Sequence, residues 1–193
     1  MKRILAGFLF AVSLFAQAPD FSKMQGWFWS IGVSPRFPVG DFSDYHNPGA
    51  GFDCEISYSD TEIQPVFVYL KGSYTHFPGR QSGYIGSQFA SVSSNLLSAN
   101  IGLKYFFPPI AEVFVLLMPH IEVEYSAGFF NTQYVYKSIS SNPSEEAGFY
   151  NGGAAAFGIS AFIADVSARY NYYYGRSFIS GEIKLRLPIY ISL

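Results

Sequence analysis

His120, Glu122 and Glu124 form the one cluster in this sequence that resembles a metal or acid–base site. Their two-residue spacing puts all three on one face of a β-strand, as shared ligands would require. Cationic side chains on neighbouring strands would satisfy the same residues by ion pairing, and we favour that interpretation. The sequence therefore predicts no metal ligand, no catalytic residue and no bound cofactor.

Three further residues, Asp41, Asp44 and His46, lie in a turn-rich stretch and offer a second possible cation site. Stretches of this composition more often turn through Asx hydrogen bonds. His46 and His76, with a serine and an acid, would also suit hydrolysis of lipid acyl chains, but no G-x-S-x-G spacing accompanies them. We therefore expect a protein that is not an enzyme.

The N-terminal stretch MKRILAGFLFAVSLFAQA, residues 1–18, has the pattern of a secretory signal peptide. Lys2 and Arg3 form the charged part, residues 4–15 the apolar part, and Ala16-Gln17-Ala18 a small-x-small cleavage site. An uncleaved anchor helix is the alternative, but the apolar stretch is short for one. We predict export and cleavage after Ala18, which leaves residues 19–193 as one domain.

Composition excludes several classes of protein. Lys and Arg number 12 and Asp and Glu 14, with no clustered basic surface, so nucleic acid is not an expected partner. Cys54 is the single cysteine and cannot form an intrachain disulfide. Aromatic residues make up 19% of the chain and charged residues 13%, yet no run of 18 apolar residues follows the leader. Apolar groups that are abundant but dispersed favour alternating strands.

The positions with period-2 alternation predict eight strands. The last stretch, GEIKLRLPIYISL, places Ile or Leu at every odd position from 183 to 193. Long polar connections are expected at 38–48, 78–94 and 137–149, and short ones at 60–65, 108–112, near Asp165 and at 175–176. The predicted strands are 27–37, 49–59, 66–75, 97–107, 113–136, 152–164, 166–174 and 181–193.

The volume of the apolar side chains decides which face of the strands is turned towards the barrel exterior. An eight-stranded barrel has a lumen just wide enough to be filled by side chains, and this face carries too many aromatic and aliphatic groups to fit inside. We therefore predict an eight-stranded antiparallel up-and-down transmembrane β-barrel with its apolar face towards lipid. Six cationic and five acidic residues, with His120, then form a nearly neutral polar lumen: Arg36, Asp53, Glu55, Lys71, Lys104, His120, Glu122, Glu124, Arg169, Glu182, Lys184 and Arg186.

Aromatic residues gather at the predicted strand ends. Such residues form the interfacial girdles of membrane barrels. The predicted girdle comprises Trp27, Trp29, Phe37, Tyr105, Phe107, Tyr172 and Tyr174.

With its export signal, eight alternating strands and the segment PRFPVGDFSDYHNPGAGF (35–52), the chain resembles the small outer-membrane β-barrel proteins of the OmpA/OmpX/OmpW-like kind. The terminal strand resembles the family's assembly signal, with Tyr190 three residues before the end, although Leu193 stands where Phe or Trp is usual. The resemblance implies a bacterial outer-membrane location. It also implies contact with outer-membrane lipids, lipopolysaccharide and the barrel insertion machinery.

Three functional hypotheses follow. The leading one is a non-enzymatic surface barrel whose loops serve envelope integrity, adhesion or binding of an extracellular ligand or host surface. The second is a narrow, porin-like channel for small or apolar solutes, against which a charge-bridged lumen argues. The third is an enzyme that modifies outer-membrane lipids.

Overall fold

The computed structural model describes residues 25–110, 116–137, 144–161 and 163–192, and the predicted signal peptide lies outside this range. The described chain is almost entirely β-strand, as its alternating sequence predicts. The strands are β1 (Gln25–Val39), β2 (Gly49–Ser59), β3 (Val66–Pro78), β4 (Phe89–Phe106), β5 (Leu117–Tyr136), β6 (Ser144–Ala161), β7 (Ala164–Tyr173) and β8 (Arg176–Ser192).

The eight strands form a closed barrel in which each pairs antiparallel with its neighbour in sequence. Pairing of β1 with β8 closes the ring, with a register shift between Trp27 and Phe28. Closure satisfies the backbone hydrogen bonds that an open sheet would leave unpaired in lipid. The predicted fold class is confirmed. The strand ends that flank 40–48, 79–88, 137–143 and 174–175 lie at one end of the barrel, which we call the outer end, and both ends of the described chain lie at the inner end.

The barrel wall separates apolar and polar side chains as the alternation predicts. On β8, Ile183 and Leu185 are 56% and 50% exposed on the exterior, whereas Lys184 between them is buried inside the barrel. Exposed aliphatic and aromatic side chains cover the outer surface of all eight strands. A surface this apolar is suited to lipid and not to water.

Three strands extend at least five residues further at the outer end than the sequence predicts. β4 begins at Phe89 rather than 97, β6 at Ser144 rather than 152, and β8 at Arg176 rather than 181. Serine and glutamate make up six of the 16 residues added to β4 and β6. Along residues 144–151 of β6 both faces of the sheet are largely exposed, so the sequence there no longer alternates and its strand signal is lost.

The connections also differ from the prediction. Two one-turn helices, α1 (Phe42–Tyr45) and α2 (Gln81–Tyr84), lie in the first two outer connections. The short connection predicted at 108–112 lies partly outside the described residues, which resume at 116 before β5 begins at Leu117. The last inner turn precedes Ala164, which places Asp165 within β7 and not in a turn. Within the described residues, no helix has the length and apolar character needed to cross a membrane.

Candidate functional site

The twelve residues assigned to the lumen from sequence are all buried in the interior of the barrel. Asp165, which was not among them, joins the same cluster and is 2% exposed. Its Oδ2 lies 2.7 Å from Arg186 Nη2 and 3.1 Å from Lys104 Nζ. With Asp165 included, six cationic and six acidic side chains balance. A buried charge without a partner costs several kcal/mol, which explains why the enclosed set is neutral.

Arg169 on β7 is the centre of this network. Its Nε lies 2.7 Å from Glu182 Oε1, its Nη1 lies 2.7 Å from Glu124 Oε2, and its Nη2 donates to Glu122. These three carboxylates come from β5 and β8. One guanidinium fork therefore joins three acidic groups inside the barrel, a geometry for which a lysine ammonium is less suited.

Two lysines carry the network across the lumen. Lys184 Nζ on β8 lies 2.8 Å from Glu55 Oε2 on β2, a strand that is not adjacent to it. Lys104 Nζ on β4 lies 2.8 Å from Glu122 Oε1 and 3.1 Å from Asp165 Oδ2 on β7. Ion pairs that cross from wall to wall fill the middle of the lumen with protein atoms.

Aromatic side chains fill the lumen beyond both ends of the network. At the outer end, six buried residues form one apolar cluster: Phe42, Phe77, Leu96, Phe130, Tyr173 and Phe178. At the inner end, the Phe67 ring packs 5.7 Å from Phe28 and 5.1 Å from Phe106. These layers are not among the sequence-based predictions. Their signal is nevertheless present, because Phe67 and Phe106 occupy strand positions in phase with the lumen residues Lys71 and Lys104.

Helix α1 closes the outer mouth. Phe42 points inwards, with its ring 5.0 Å from Phe77 and 6.2 Å from Phe130. His46 follows the helix, with Nε2 2.8 Å from Ser94 Oγ, which in turn lies 2.8 Å from Thr132 Oγ1. These contacts fasten the first outer connection to β4 and β5.

His46, Asp41 and Asp44 do not form the cation site that their sequence suggested. Both aspartates are exposed, Asp44 on α1 and Asp41 directly before it, whereas His46 is buried and directed at Ser94. His76 lies elsewhere, on the barrel exterior, with Nδ1 2.8 Å from Asn95 Oδ1. Of the described residues, the one group placed to hold a metal ion is His120 with Glu122 and Asp165.

Acidification is expected to release α1 from the mouth. Burial lowers the pKa of His46, and Arg176 lowers it further, although the Phe42 carbonyl opposes both effects. In the form with α1 released, His46 has the ordinary histidine pKa of about 6.5, so it takes up a proton at a higher pH than in the closed form. As pH falls below about 6.5, the equilibrium constant for release of α1 therefore rises by up to about tenfold per pH unit. Hydrogen exchange of residues 40–48, corrected for the intrinsic effect of pH, measures this opening. The His46→Gln variant should show no such rise, and equal opening in both proteins would contradict the assignment.

The predicted girdle residues lie on the barrel exterior, with exposed fractions between 38% for Trp29 and 79% for Tyr174. Trp29 Nε1 donates to Cys54 Sγ at 3.1 Å, so this indole has a partner on the neighbouring strand. The placement suits an aromatic belt at the membrane interface.

The cationic side chains of the outer end are already engaged within the protein. Arg80 donates to the Ser43 carbonyl and Lys137 to the Ile85 and Ser87 carbonyls. The Arg176 guanidinium lies 4.7 Å from the Phe130 ring centre and 4.2 Å from that of Tyr150. Arg80 and Lys137 are exposed, and so are four acidic residues of the described outer end, of which Glu145 and Glu146 accept hydrogen bonds from Gln133 and Tyr134: Asp41, Asp44, Glu145 and Glu146.

At the outer end, β5 and β6 extend beyond the neighbouring strand β7. β6 pairs with β5 as far as Ser144, but its pairing with β7 stops at Gly152 and Tyr173. Residues 144–151 therefore carry no strand partner on their β7 side within the described chain. Every second residue of such an edge directs its N–H and C=O away from the sheet. Phe149 in this segment is 83% exposed.

Solved structures of small outer-membrane barrels share this fold. Neisserial surface protein A matches with a TM-score of 0.58 and 12% identity, over 86% of this chain and 99% of its own. Ail, the attachment invasion locus protein of Yersinia pestis, matches with a TM-score of 0.51 and 16% identity, over 84% and 99%. The Ail complex with the heparin analogue sucrose octasulfate matches with a TM-score of 0.53 and 12% identity, over 86% and 99%.

The sequence matches no protein-family model and no curated protein. The structural likeness therefore carries the comparison, and at these identities it establishes the fold. The chain has the fold of the small eight-stranded outer-membrane β-barrels, which confirms the resemblance predicted from its sequence.

Proposed function

We propose that this protein is a non-enzymatic barrel of the bacterial outer membrane that presents a recognition surface on the cell exterior. Residues 1–18 direct export in this proposal, and the insertion machinery assembles the barrel among outer-membrane lipids and lipopolysaccharide. The unpaired edge of β6, residues 144–151, is the observation that carries the proposed function. It projects beyond the strands on one side and offers free backbone groups to a partner.

The filled lumen supports this proposal over a channel. Ion pairs between non-adjacent strands, such as Lys184–Glu55, lie between two layers of aromatic side chains. Helix α1 covers the outer layer. The lipid-enzyme alternative is also less well supported. His46 and Ser94 are hydrogen-bonded, but both are buried behind Phe42, where an acyl chain in the membrane has no direct access.

An extended segment of a partner protein is the ligand that best suits a free strand edge. Such a segment adds a strand to the sheet, with main-chain hydrogen bonds for affinity and side-chain contacts for specificity. Glu145 and Glu146 are exposed on this edge strand and favour a basic segment. The heparin analogue bound in the Ail structure is a polyanion, but the described outer end of this chain exposes four carboxylates and only two cations, Arg80 and Lys137, which already donate to loop carbonyls.

Binding to three immobilised probes tests the proposal on barrels held in nanodiscs. We expect association with a peptide of alternating Lys and Val, and none with an alternating Glu and Val peptide or with heparin. The double variant Glu145→Lys, Glu146→Lys should weaken binding of the Lys–Val peptide by about tenfold or more, equivalent to about 1.4 kcal/mol.

Glu62→Lys is the matched control, because Glu62 is an exposed carboxylate in the connection 60–65 at the inner end. This variant should bind the Lys–Val peptide as the unaltered protein does. Preference for heparin, or equal loss of binding in the control and in the double variant, would refute the proposed recognition surface.

A further inference from the structure

We infer that His120, Glu122 and Asp165 form a buried binding site for one divalent transition-metal ion of the zinc class. His120 and Glu122 project from β5 and Asp165 from β7, and these side chains are at most 2% exposed. Their candidate ligand atoms all lie within 4.8 Å of one another. An imidazole nitrogen with two carboxylate oxygens is a donor set that Zn²⁺ accepts.

The distances between these atoms match the geometry of a tetrahedral metal site. His120 Nε2 lies 3.4 Å from Glu122 Oε1 and 3.3 Å from Asp165 Oδ1. Metal–ligand bonds of about 2.1 Å at tetrahedral angles separate neighbouring ligand atoms by about 3.4 Å. Both distances from His120 Nε2 are therefore those that one ion bound between these side chains would require, and the three candidate ligand atoms lie within 4.8 Å of one another.

Three buried atoms of the group lack the hydrogen bonds that buried polar atoms normally make. Both ring nitrogens of His120 and Asp165 Oδ1 have no hydrogen-bond partner of good geometry among the described residues, whereas Glu122 Oε1 is paired with Lys104. Buried polar atoms without such partners are rare and costly in proteins. A metal ion would satisfy Nε2 and both oxygens at once.

The His120 ring is held in this orientation by its surroundings. A side chain at Gly158 would place its Cβ 2.6 Å from both Cε1 and Nε2 of His120, so glycine leaves room for the ring. Phe106 packs on the ring with its centre 5.3 Å away. The imidazole is therefore fixed before any ion binds.

Lys104 competes with the metal for the two carboxylates. Its Nζ lies 2.8 Å from Glu122 Oε1, and it pairs with the other oxygen of Asp165. Without a metal, this ammonium supplies part of the positive charge that the two acids need. Metal binding has to displace it, so removal of the Lys104 charge should strengthen metal binding.

Refolding with and without zinc tests the inference. Protein refolded from urea into detergent with Zn²⁺, and then freed of unbound metal by gel filtration, should retain one zinc per barrel by elemental analysis. Its unfolding midpoint should exceed that of protein refolded with EDTA, because an ion bound only by the native state stabilises that state. Retention should be lost in His120→Gln and Asp165→Asn.

His76→Gln is the matched control, since His76 is exposed on the barrel exterior, and it should retain one zinc. Each variant is first shown to be folded by the change of its gel mobility on boiling. Lys104→Met should retain zinc against at least tenfold more EDTA than the unaltered protein. Refolding with Co²⁺ gives a second readout, a visible absorption of tetrahedral type that disappears in His120→Gln.

Two results would overturn the inference. One is folded protein without stoichiometric zinc, which would mean that a proton or Lys104 alone satisfies the three side chains. The other is zinc retained in folded His120→Gln, which would place the ion elsewhere. Neither result bears on the recognition surface at β6, so the two proposals stand or fall separately.

Discussion

Replacing Arg169 with methionine is expected to lower the free energy of unfolding by about 3–5 kcal/mol, the usual cost of removing one partner from a buried ion pair. Arg169 contacts Glu122, Glu124 and Glu182, and none of the three is more than 8% exposed. Methionine fills much of the same volume but leaves these carboxylates short of one positive charge. Urea titration of the barrel in detergent, followed by tryptophan emission, measures the loss.

Two further variants make this result specific. Arg169→Lys keeps the charge, but a lysine ammonium cannot contact all three carboxylates as the guanidinium does. The decrease in its free energy of unfolding should therefore be intermediate. Arg80→Met removes an exposed cation that donates to a loop carbonyl, and it should change the free energy by less than about 1 kcal/mol. If Arg169→Met fails to fold, the fraction of each variant with barrel-like gel mobility ranks them. Equal stability of Arg169→Met and Arg80→Met would show that the lumen network does not hold the barrel together.

Ile101→Arg is expected to destabilise the barrel in a lipid bilayer by about 2–4 kcal/mol, the cost of a cation on the lipid face near the midplane. Ile101 is 55% exposed on β4, between the inward-facing Asn100 and Gly102. If the exterior faced water, the same change would be nearly neutral or favourable. Reversible unfolding from vesicles in urea therefore distinguishes the two solvents directly.

Ile85→Arg is the control, because it makes the same chemical change at an isoleucine that is 68% exposed in an outer connection. This variant should remain within about 0.5 kcal/mol of the unaltered protein. A similar free energy of unfolding for both variants would contradict a lipid-facing exterior.

The filled lumen and the proposed recognition surface have complementary physical roles. Ion pairs and aromatic layers hold the strands in fixed register, and this fixed register supports the edge of β6 above the wall. The neutral balance of six cations and six anions in the network removes the repulsion that an unbalanced interior would carry. A barrel of this kind serves as a rigid support and does not need to conduct.

The sequence by itself determined the fold class, because side chains alternate between the two faces of a strand with a period of two. In this chain one face is apolar throughout the wall and the other is mainly polar. Ile183 and Leu185 alternate with Lys184 and Arg186, and the volume of the apolar set requires it to face outwards. The same alternation places the ionisable groups in the lumen. It worked best where the wall lies in the apolar band, as for β2, whose predicted and observed bounds coincide.

Only the tertiary structure decided which groups meet. Lys184 and Glu55 are 129 residues apart in sequence, and they pair because closure of the ring brings β8 and β2 across one lumen. Asp165 replaces Glu124 beside His120 for the same reason, since the position of β7 relative to β5 depends on the register of β6 between them. The extension of β6 over residues 144–151 also could not be predicted from the sequence, because strands in water lose the alternation that identifies them in lipid. Local pattern thus specifies the face of each residue, whereas closure and register specify its partners.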